Sequence, residues 1–282
     1  MLSADVVIVG CGIIGAAVAY ALSRTTSLRI IVLERGLPGC EASGAAAGVL
    51  AVASVRARRG ALFDLRRASA ALFPDLVGAL QDEVGAAIAY HRNGLLSLAF
   101  SAAQAHDLEA LVQHRTAQGL RAVWLDRESV IAAEPAVNPE VWGAALFPDD
   151  GTIDAVQLIE ALVTAARRRG VTFRLDTAVH SVEGRGGAAT VRFDGDRIEA
   201  GRAVVAAGAW SGEIFAPHGV KVPVRPARGE MAALRPVGWR VHHILSQGDG
   251  YLIPRDSGDV LIAVPPRLWG STSASHRRAF RP

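Results

Sequence analysis

The sequence has 282 residues, half of them hydrophobic and a fifth charged, enough to bury one or two ordinary cores and too apolar for long disordered tracts. The formal net charge of +3 is too small to point to nucleic acid. It is also concentrated: residues 265 to 282 hold Arg267, Arg277, Arg278 and Arg281 and no acid, so the remainder is close to neutral. Two cysteines, Cys11 and Cys40, share no metal-ligand or CxxC spacing, which excludes a disulfide framework or metal site and fits a cytoplasmic protein.

In chain order, Asp5 to Val9 is an uninterrupted β-branched run and predicts a buried strand. A glycine cluster follows, then an Ala-rich helix to about Arg24 and a second strand over Arg29 to Glu34. Residues 6 to 23 are apolar and uncharged, but three glycines interrupt them and no basic segment precedes them, so a membrane span is not expected. Residues 36 to 50 are mostly Gly, Ala and Ser, too small for ordinary core. Leu65, Ala68, Leu72, Leu76, Leu80 and Val84 form a helical stripe.

The texture changes at Ala86. Strand-like GLLSLAF precedes a polar helix near Ala105 to Gln118. Asp154 is the predicted N-cap of an amphipathic helix with Val156, Ile159, Leu162, Val163 and Ala166 on one face. Arg167 to Arg169 suit its C-terminal end and Gly170 its stop. A strand starts at Val171, Asp194-Gly195 makes a hairpin turn, and Ala203 to Ala207 reads as a further buried strand ending at Gly208. Nucleotide-type texture therefore occupies 1–85 and 148–215. A different texture fills 86–147 and 216–264, and 265–282 is a tail with neither helical nor strand period. Two interleaved domains are expected.

The chemistry lies in VVIVGCGIIG. Gly10 allows a tight turn out of the strand, Gly12 lets backbone approach a pyrophosphate, and Gly15 lets the helix pack on the strand. A phosphate would meet free N–H groups at the positive end of the helix dipole. Glu34 ends the second strand 24 residues after Gly10, where a carboxylate accepts ribose hydroxyls and repels a 2′-phosphate. The spacing predicts dinucleotide binding and does not separate FAD from NAD.

Glu34-Arg35-Gly36, then ASGAAAGVL at 42–50, HRNGLLSLAF at 91–100, TAVHSVE at 177–183, VVAAGAWS at 204–211, RPARGE at 225–230 and YLIPR at 251–255 together resemble the D-amino-acid oxidase superfamily. Within it they are most similar to the glycine oxidase branch linked to thiamine biosynthesis. The resemblance runs from residue 4 to about 262. It implies an α/β fold: a Rossmann-type FAD-binding domain interleaved with a smaller, mainly antiparallel α+β substrate domain. It implies FAD as cofactor, no metal, a small amino-acid or amine substrate, and hydride transfer from the α-carbon to the flavin. Ile13 and Ile14 would lie against the pyrophosphate turn, and Glu34 and Arg35 at the adenosine end. Ala42, Ser43, Ala47, Gly48 and Val49 would line the path to the isoalloxazine. Val179 would face the adenine through its backbone, and Tyr251 would stand near the substrate. Trp210 reads as core, His242-His243 as a solvated pair, and Arg225, Arg228 and Arg255 as strand-end or surface cations. A D-amino-acid dehydrogenase, a sarcosine-oxidase-like enzyme and a non-catalytic remnant are the alternatives. Homo-oligomerisation is left open.

Beyond YLIPR the resemblance gives out. The family's carboxylate-gripping arginine and a Gly-rich turn beside the flavin pyrimidine have no counterpart in AVPPRLWGSTSASHRRAFRP. Codons compatible with Leu268 to Ala279, read from the third base, can encode VGFDKRVTSAG, which resembles the family again. The expectation is a missing or frameshifted C-terminal part.

Overall fold

The computed structural model describes residues 2–55, 59–248 and 250–267. In chain order the strands begin with β1 (Leu2–Val9), β2 (Ile30–Leu33), β3 (Val49–Leu50), β4 (Tyr90–His91) and β5 (Leu95–Ala99). There follow β6 (Val123–Asp126), β7 (Gly143–Phe147), β8 (Gly151–Ile153), β9 (Thr172–Arg174), β10 (Val179–Arg185) and β11 (Ala188–Phe193). The last are β12 (Asp196–Val205), β13 (Arg228–Leu234), β14 (Ile244–Gln247), β15 (Gly250–Pro254) and β16 (Val260–Arg267). The α-helices are α1 (Ile13–Thr25), α2 (Ala61–Val84), α3 (Ala102–Ala117), α4 (Arg127–Ala133), α5 (Ala155–Arg168) and α6 (Ser211–Phe215).

The chain divides into two compact units, the first from residues 2–46, 75–88 and 154–226. Its sheet has the order β10-β11-β12-β1-β2-β9. β1 pairs parallel with both β2 and β12, and β2 parallel with β9, while β10, β11 and β12 run antiparallel. Val7, Val9, Leu33, Val191, Phe193 and Ile198 make one core against this sheet, and α1 packs on α5. Asp154 caps α5 as expected, accepting the N–H groups of Val156 and Gln157 at 2.9 Å each, worth about 1 kcal/mol. Gly170 follows the helix at φ +89°. The buried face of α5 carries Leu158, Ile159, Leu162, Val163 and Ala166, whereas Val156 points outward. Residues 196–205 form one strand, not a hairpin arm plus a separate buried strand. Its length is used twice: β11 pairs with Asp196 to Ala200 and β1 with Ile198 to Val205.

The second unit takes the described residues of 47–74, 89–153 and 227–267. It holds a mainly antiparallel sheet, β13-β16-β15-β14-β5-β7-β6, and a small sheet, β3-β8-β4. It is of similar extent to the first unit, where a smaller domain was expected. Residues 47–74, expected with the first segment, belong to the second unit because β3 pairs with β8 at Val49–Thr152 and Leu50–Gly151. Residues 148–153 join it for the same reason. The polar helix is α3, with Ser101 accepting the Gln104 N–H at its start. The expected stripe is not the buried face of α2. Leu65 and Leu72 are each 66% exposed, and Phe63, Val77 and Leu80 are the buried residues. Pro74 lies inside the helix at the boundary between the units, so a single stripe does not serve its whole length. Strand β16 continues through Pro265 and Pro266 to Arg267, pairing with β13 at Val264–Glu230 and Arg267–Arg228. The aperiodic tail was expected to begin at 265. Its remainder, residues 268–282 and with them the frameshift reading, lies outside the described residues.

Candidate functional site

The first unit builds the glycine turn between β1 and α1. Gly10 sits at φ +96° and donates its N–H to the Leu33 carbonyl at 2.8 Å. A Cβ there would lie 2.6 Å from the Ala206 carbonyl oxygen. A Cβ on Gly15 would lie 2.0 Å from the Gly10 carbonyl oxygen, so helix and turn touch backbone to backbone. Gly12 differs: its φ of −71° is ordinary, and its Cβ would meet only the Ser43 hydroxyl, at 3.0 Å. Gly12 is the N-cap of α1, with no side-chain cap hydrogen bond and no acid in the first turn. The first N–H groups of a helix have no intrahelical acceptor. One of them, on Ile13, donates to Ser43 Oγ at 3.0 Å, which leaves the Ser43 proton available to an incoming anion. Ile14 stands 64% exposed on this turn.

Glu34, 9% exposed, lies under the turn. Its Oε2 accepts the Cys11 N–H at 2.6 Å and its Oε1 the Gly36 N–H at 3.0 Å. Each oxygen keeps a second lone pair, so the carboxylate can still accept a ribose hydroxyl. Burial, and then the Glu34 charge, push the Cys11 thiol up to about 12, so Cys11 is a neutral packing residue and no nucleophile at physiological pH. Arg35 pairs with Glu41 and lies 3.7 Å from the centroid of the Trp210 ring. Trp210 is thus not core as read from sequence: it is half-buried beneath a guanidinium. The Glu34 carbonyl accepts the Thr177 N–H at 2.9 Å, which brings the segment leading into Val179, the first residue of β10, close to the end of β2. Ala42 is exposed and Ser43 half-buried. The donors, the carboxylate and the lack of an acid in the first turn of α1 suit a dinucleotide pyrophosphate with its adjoining ribose.

Other expected residues lie in the second unit. Gly48 sits at φ +70°, where a Cβ would come 1.9 Å from the Ile153 carbonyl oxygen; its own carbonyl accepts the Ile153 N–H at 2.8 Å. Ala47, Val49 and Tyr251 all pack against the cluster that contains Ala53, Leu95, Phe147, Ile244 and Ile253. Tyr251 lies on β15 opposite Ser246 and Ala263. Arg255 is no free cation, for its Nη2 donates to the Ala47 carbonyl at 2.8 Å. Arg225 is exposed, and the Arg228 side chain is outside the described set. The histidine pair is not simply solvated. Glu134, fully buried at the end of α4, accepts the N–H groups of His242 and His243 and the His243 ring Nδ1 at 2.8, 2.6 and 2.8 Å.

Three charged residues escaped the sequence reading. They are Glu134 together with Asp150 and Arg115, both nearly or fully buried and both bonded to backbone near Ala53. Asp150 carried a faint signal in Asp149-Asp150-Gly151, a turn-like cluster; the other two carried none. Among the described residues no group of three or more His, Cys, Asp or Glu could hold a metal ion, and no helix is long and apolar enough to cross a membrane.

Comparison with known proteins adds to this geometry. The chain matches the profile of the FAD dependent oxidoreductase family over residues 5–279. It is 32% identical over 258 residues to glycine oxidase of Bacillus licheniformis, covering 92% of this chain and 68% of that protein. Over 223 residues it is 33% identical to 4-methylaminobutanoate oxidase (formaldehyde-forming) of Paenarthrobacter nicotinovorans, covering 78% of this chain and 26% of that one. The crystal structure of glycine oxidase from Geobacillus kaustophilus superposes with a TM-score of 0.88 at 29% identity, covering 98% of this chain and 75% of the other.

Proposed function

Because the chain belongs to the FAD dependent oxidoreductase family, we propose that it is an oxidase that deaminates glycine or another small amino acid. Members of this family are FAD-dependent enzymes. FAD, when bound, would supply the acceptor for a hydride from the substrate α-carbon, with oxygen as the final acceptor of the electron pair and hydrogen peroxide as the product. The imine product hydrolyses in water to ammonia and a keto or aldehyde acid.

The observation that carries this reading is the α1 N-terminus, which has no acid in its first turn and is built on a glycine turn in which Gly15 admits no side chain. The backbone of Gly12 to Gly15 would hold the pyrophosphate, with the Ser43 hydroxyl as a further donor. Glu34 would accept the ribose hydroxyls. Arg35, over the Trp210 ring, and the Val179 backbone would bound the adenosine end. Ile13 and the exposed Ile14 would lie beside the phosphates. In the second unit, Ala47, Gly48 and Val49, next to the small residues Ala42 and Ser43 in the sequence, would face the flavin, and Tyr251 the substrate. Retention would be non-covalent. A cytoplasmic setting and an amino-acid or amine substrate belong to the same proposal.

The similarity to 4-methylaminobutanoate oxidase favours one second reading, oxidation of an N-methylated amino acid. Purified full chain with added FAD separates the two readings when oxygen uptake and peroxide release are followed with glycine, sarcosine and D-alanine. Glycine as the fastest substrate supports the proposal. Turnover of sarcosine alone supports the second reading. Reduction of a dye without peroxide release replaces the oxidase with a dehydrogenase.

A further inference from the structure

Three charged side chains, distant in sequence but all in the second unit, converge on the backbone of residues 47–55. Arg255 donates to the Ala47 carbonyl at 2.8 Å. Asp150, 2% exposed, accepts three successive N–H groups, those of Val52, Ala53 and Ser54, at 2.9, 3.1 and 3.0 Å. Arg115, fully buried, donates from Nε to the Ala53 carbonyl at 2.8 Å and from Nη2 to the Val55 carbonyl at 2.5 Å. Its guanidinium also lies 4.7 Å from the Phe63 ring centroid.

Burying a carboxylate and a guanidinium is costly unless their hydrogen bonds are filled, and well-packed apolar residues serve stability as well or better. Here both charges serve one irregular stretch. Apart from the two-residue strand β3, residues 47–55 have no ladder or helix to absorb their peptide groups. Ala53 is held at both of its backbone polar groups, its N–H by Asp150 and its carbonyl by Arg115. Its second residue is Gly48, whose φ and contact with Ile153 admit no side chain.

We infer that Arg255, Asp150 and Arg115 are positioning residues for the redox reaction: they fix the 47–55 backbone before the flavin arrives. The cofactor then meets a preformed surface and does not have to order it, which is where preorganisation raises affinity. What the surface serves rests on the proposed function; the clamp itself rests on the hydrogen bonds. Arg255 is the best handle, because it is only half-buried and makes one bond into the stretch.

The test uses the full chain freed of flavin, as wild type, Arg255→Met and Arg255→Lys. Deuterium exchange is read on peptides covering 47–55, β1 and α5, and FAD affinity is titrated on the same preparations. Arg255→Met should exchange about tenfold faster at 47–55 and unchanged at β1 and α5, and should bind FAD about tenfold more weakly, as loss of one charge-assisted hydrogen bond implies. Arg255→Lys should restore most of both. Unchanged exchange at 47–55 overturns the inference, and so does faster exchange with unaltered FAD affinity. If Arg255→Met unfolds, Arg255→Gln, which keeps a polar head but not the reach, decides by the same criteria. A wild-type chain that takes up no flavin overturns the proposed function instead, and the exchange measurement then judges the clamp alone.

Discussion

Gly15→Ala and Gly12→Val should separate the fold from the cofactor. At Gly15 the new Cβ would lie 2.0 Å from the Gly10 carbonyl oxygen, a backbone atom with nowhere to turn. Helix α1 must then lift off β1, and overpacking of this kind costs about 1–3 kcal/mol or more. At roughly 2–4 °C per kcal/mol, the melting midpoint falls by about 2–12 °C. Gly12 has an ordinary φ, and its Cβ would meet only the end of the Ser43 side chain at 3.0 Å. The fold loses at most the Ile13–Ser43 hydrogen bond, about 1 kcal/mol. The branched side chain instead fills the space over the open helix end. Loss of one charge-assisted contact to a phosphate, about 1.5–3 kcal/mol, weakens FAD binding by roughly 10- to 150-fold. Thermal unfolding and quenching of flavin fluorescence, run on both variants, read the two effects separately. Unchanged FAD affinity in Gly12→Val would refute the assignment of the turn to pyrophosphate, and a wild-type midpoint in Gly15→Ala would refute the packing argument.

Three further outcomes follow from the same atoms. Alkylation of the native protein at about pH 8 should modify Cys40 and spare Cys11, whose thiol is buried and pushed up to about 12; mass spectrometry showing equal labelling of both would contradict this. Glu34→Ala strips the acceptor from the Cys11 and Gly36 N–H groups and should cost about 1–3 kcal/mol in denaturant unfolding as well as weakening FAD, and an effect on FAD alone would show those bonds to be incidental. Hydrogen bonding from Arg169 holds the Glu83 carboxyl below its usual 4.5. A lowered folded-state pKa stabilises above the unfolded value and loses that stability as pH falls through the folded one. Wild type should therefore lose more thermal stability than Glu83→Gln on acidification below about 4.5, and parallel curves would contradict the pairing.

What the sequence showed was local. The β1–turn–α1–β2 unit lies within thirty-odd residues, and each of its signals has a short-range cause: the apolar strand, the glycine spacing, the closing Glu34. The α5 helix was legible for the same reason, from Asp154 to Gly170. Legibility failed where a residue's partner is far along the chain. Asp150 meets Val52 and Ala53 from nearly a hundred residues away, and Glu134 meets His243 from more than a hundred. Nothing in the periodicity of α3 marks Arg115 as buried, since arginine is ordinarily exposed. The outward Leu65 and Leu72 obey helical spacing yet face away from the core, because period alone does not say which face is covered. Strand β12 reads as two pieces because its ends have different textures, polar where it meets β11 and apolar at its C-terminal end against β1. Of the candidate site, the turn and Glu34 were read from spacing. The flavin-facing and substrate residues came only through the family resemblance, and the side chains that hold residues 47–55 came only from the structure.

The most direct test of the central claim is the identity of the bound nucleotide. The purified chain, incubated with saturating FAD and NAD together and then freed of excess ligand, is denatured and its released nucleotide is measured by absorbance and mass. The account predicts FAD, set free without residual flavin on the polypeptide, at close to one per chain. Release of NAD with no flavin, or a flavin that stays attached to the denatured chain, would contradict it.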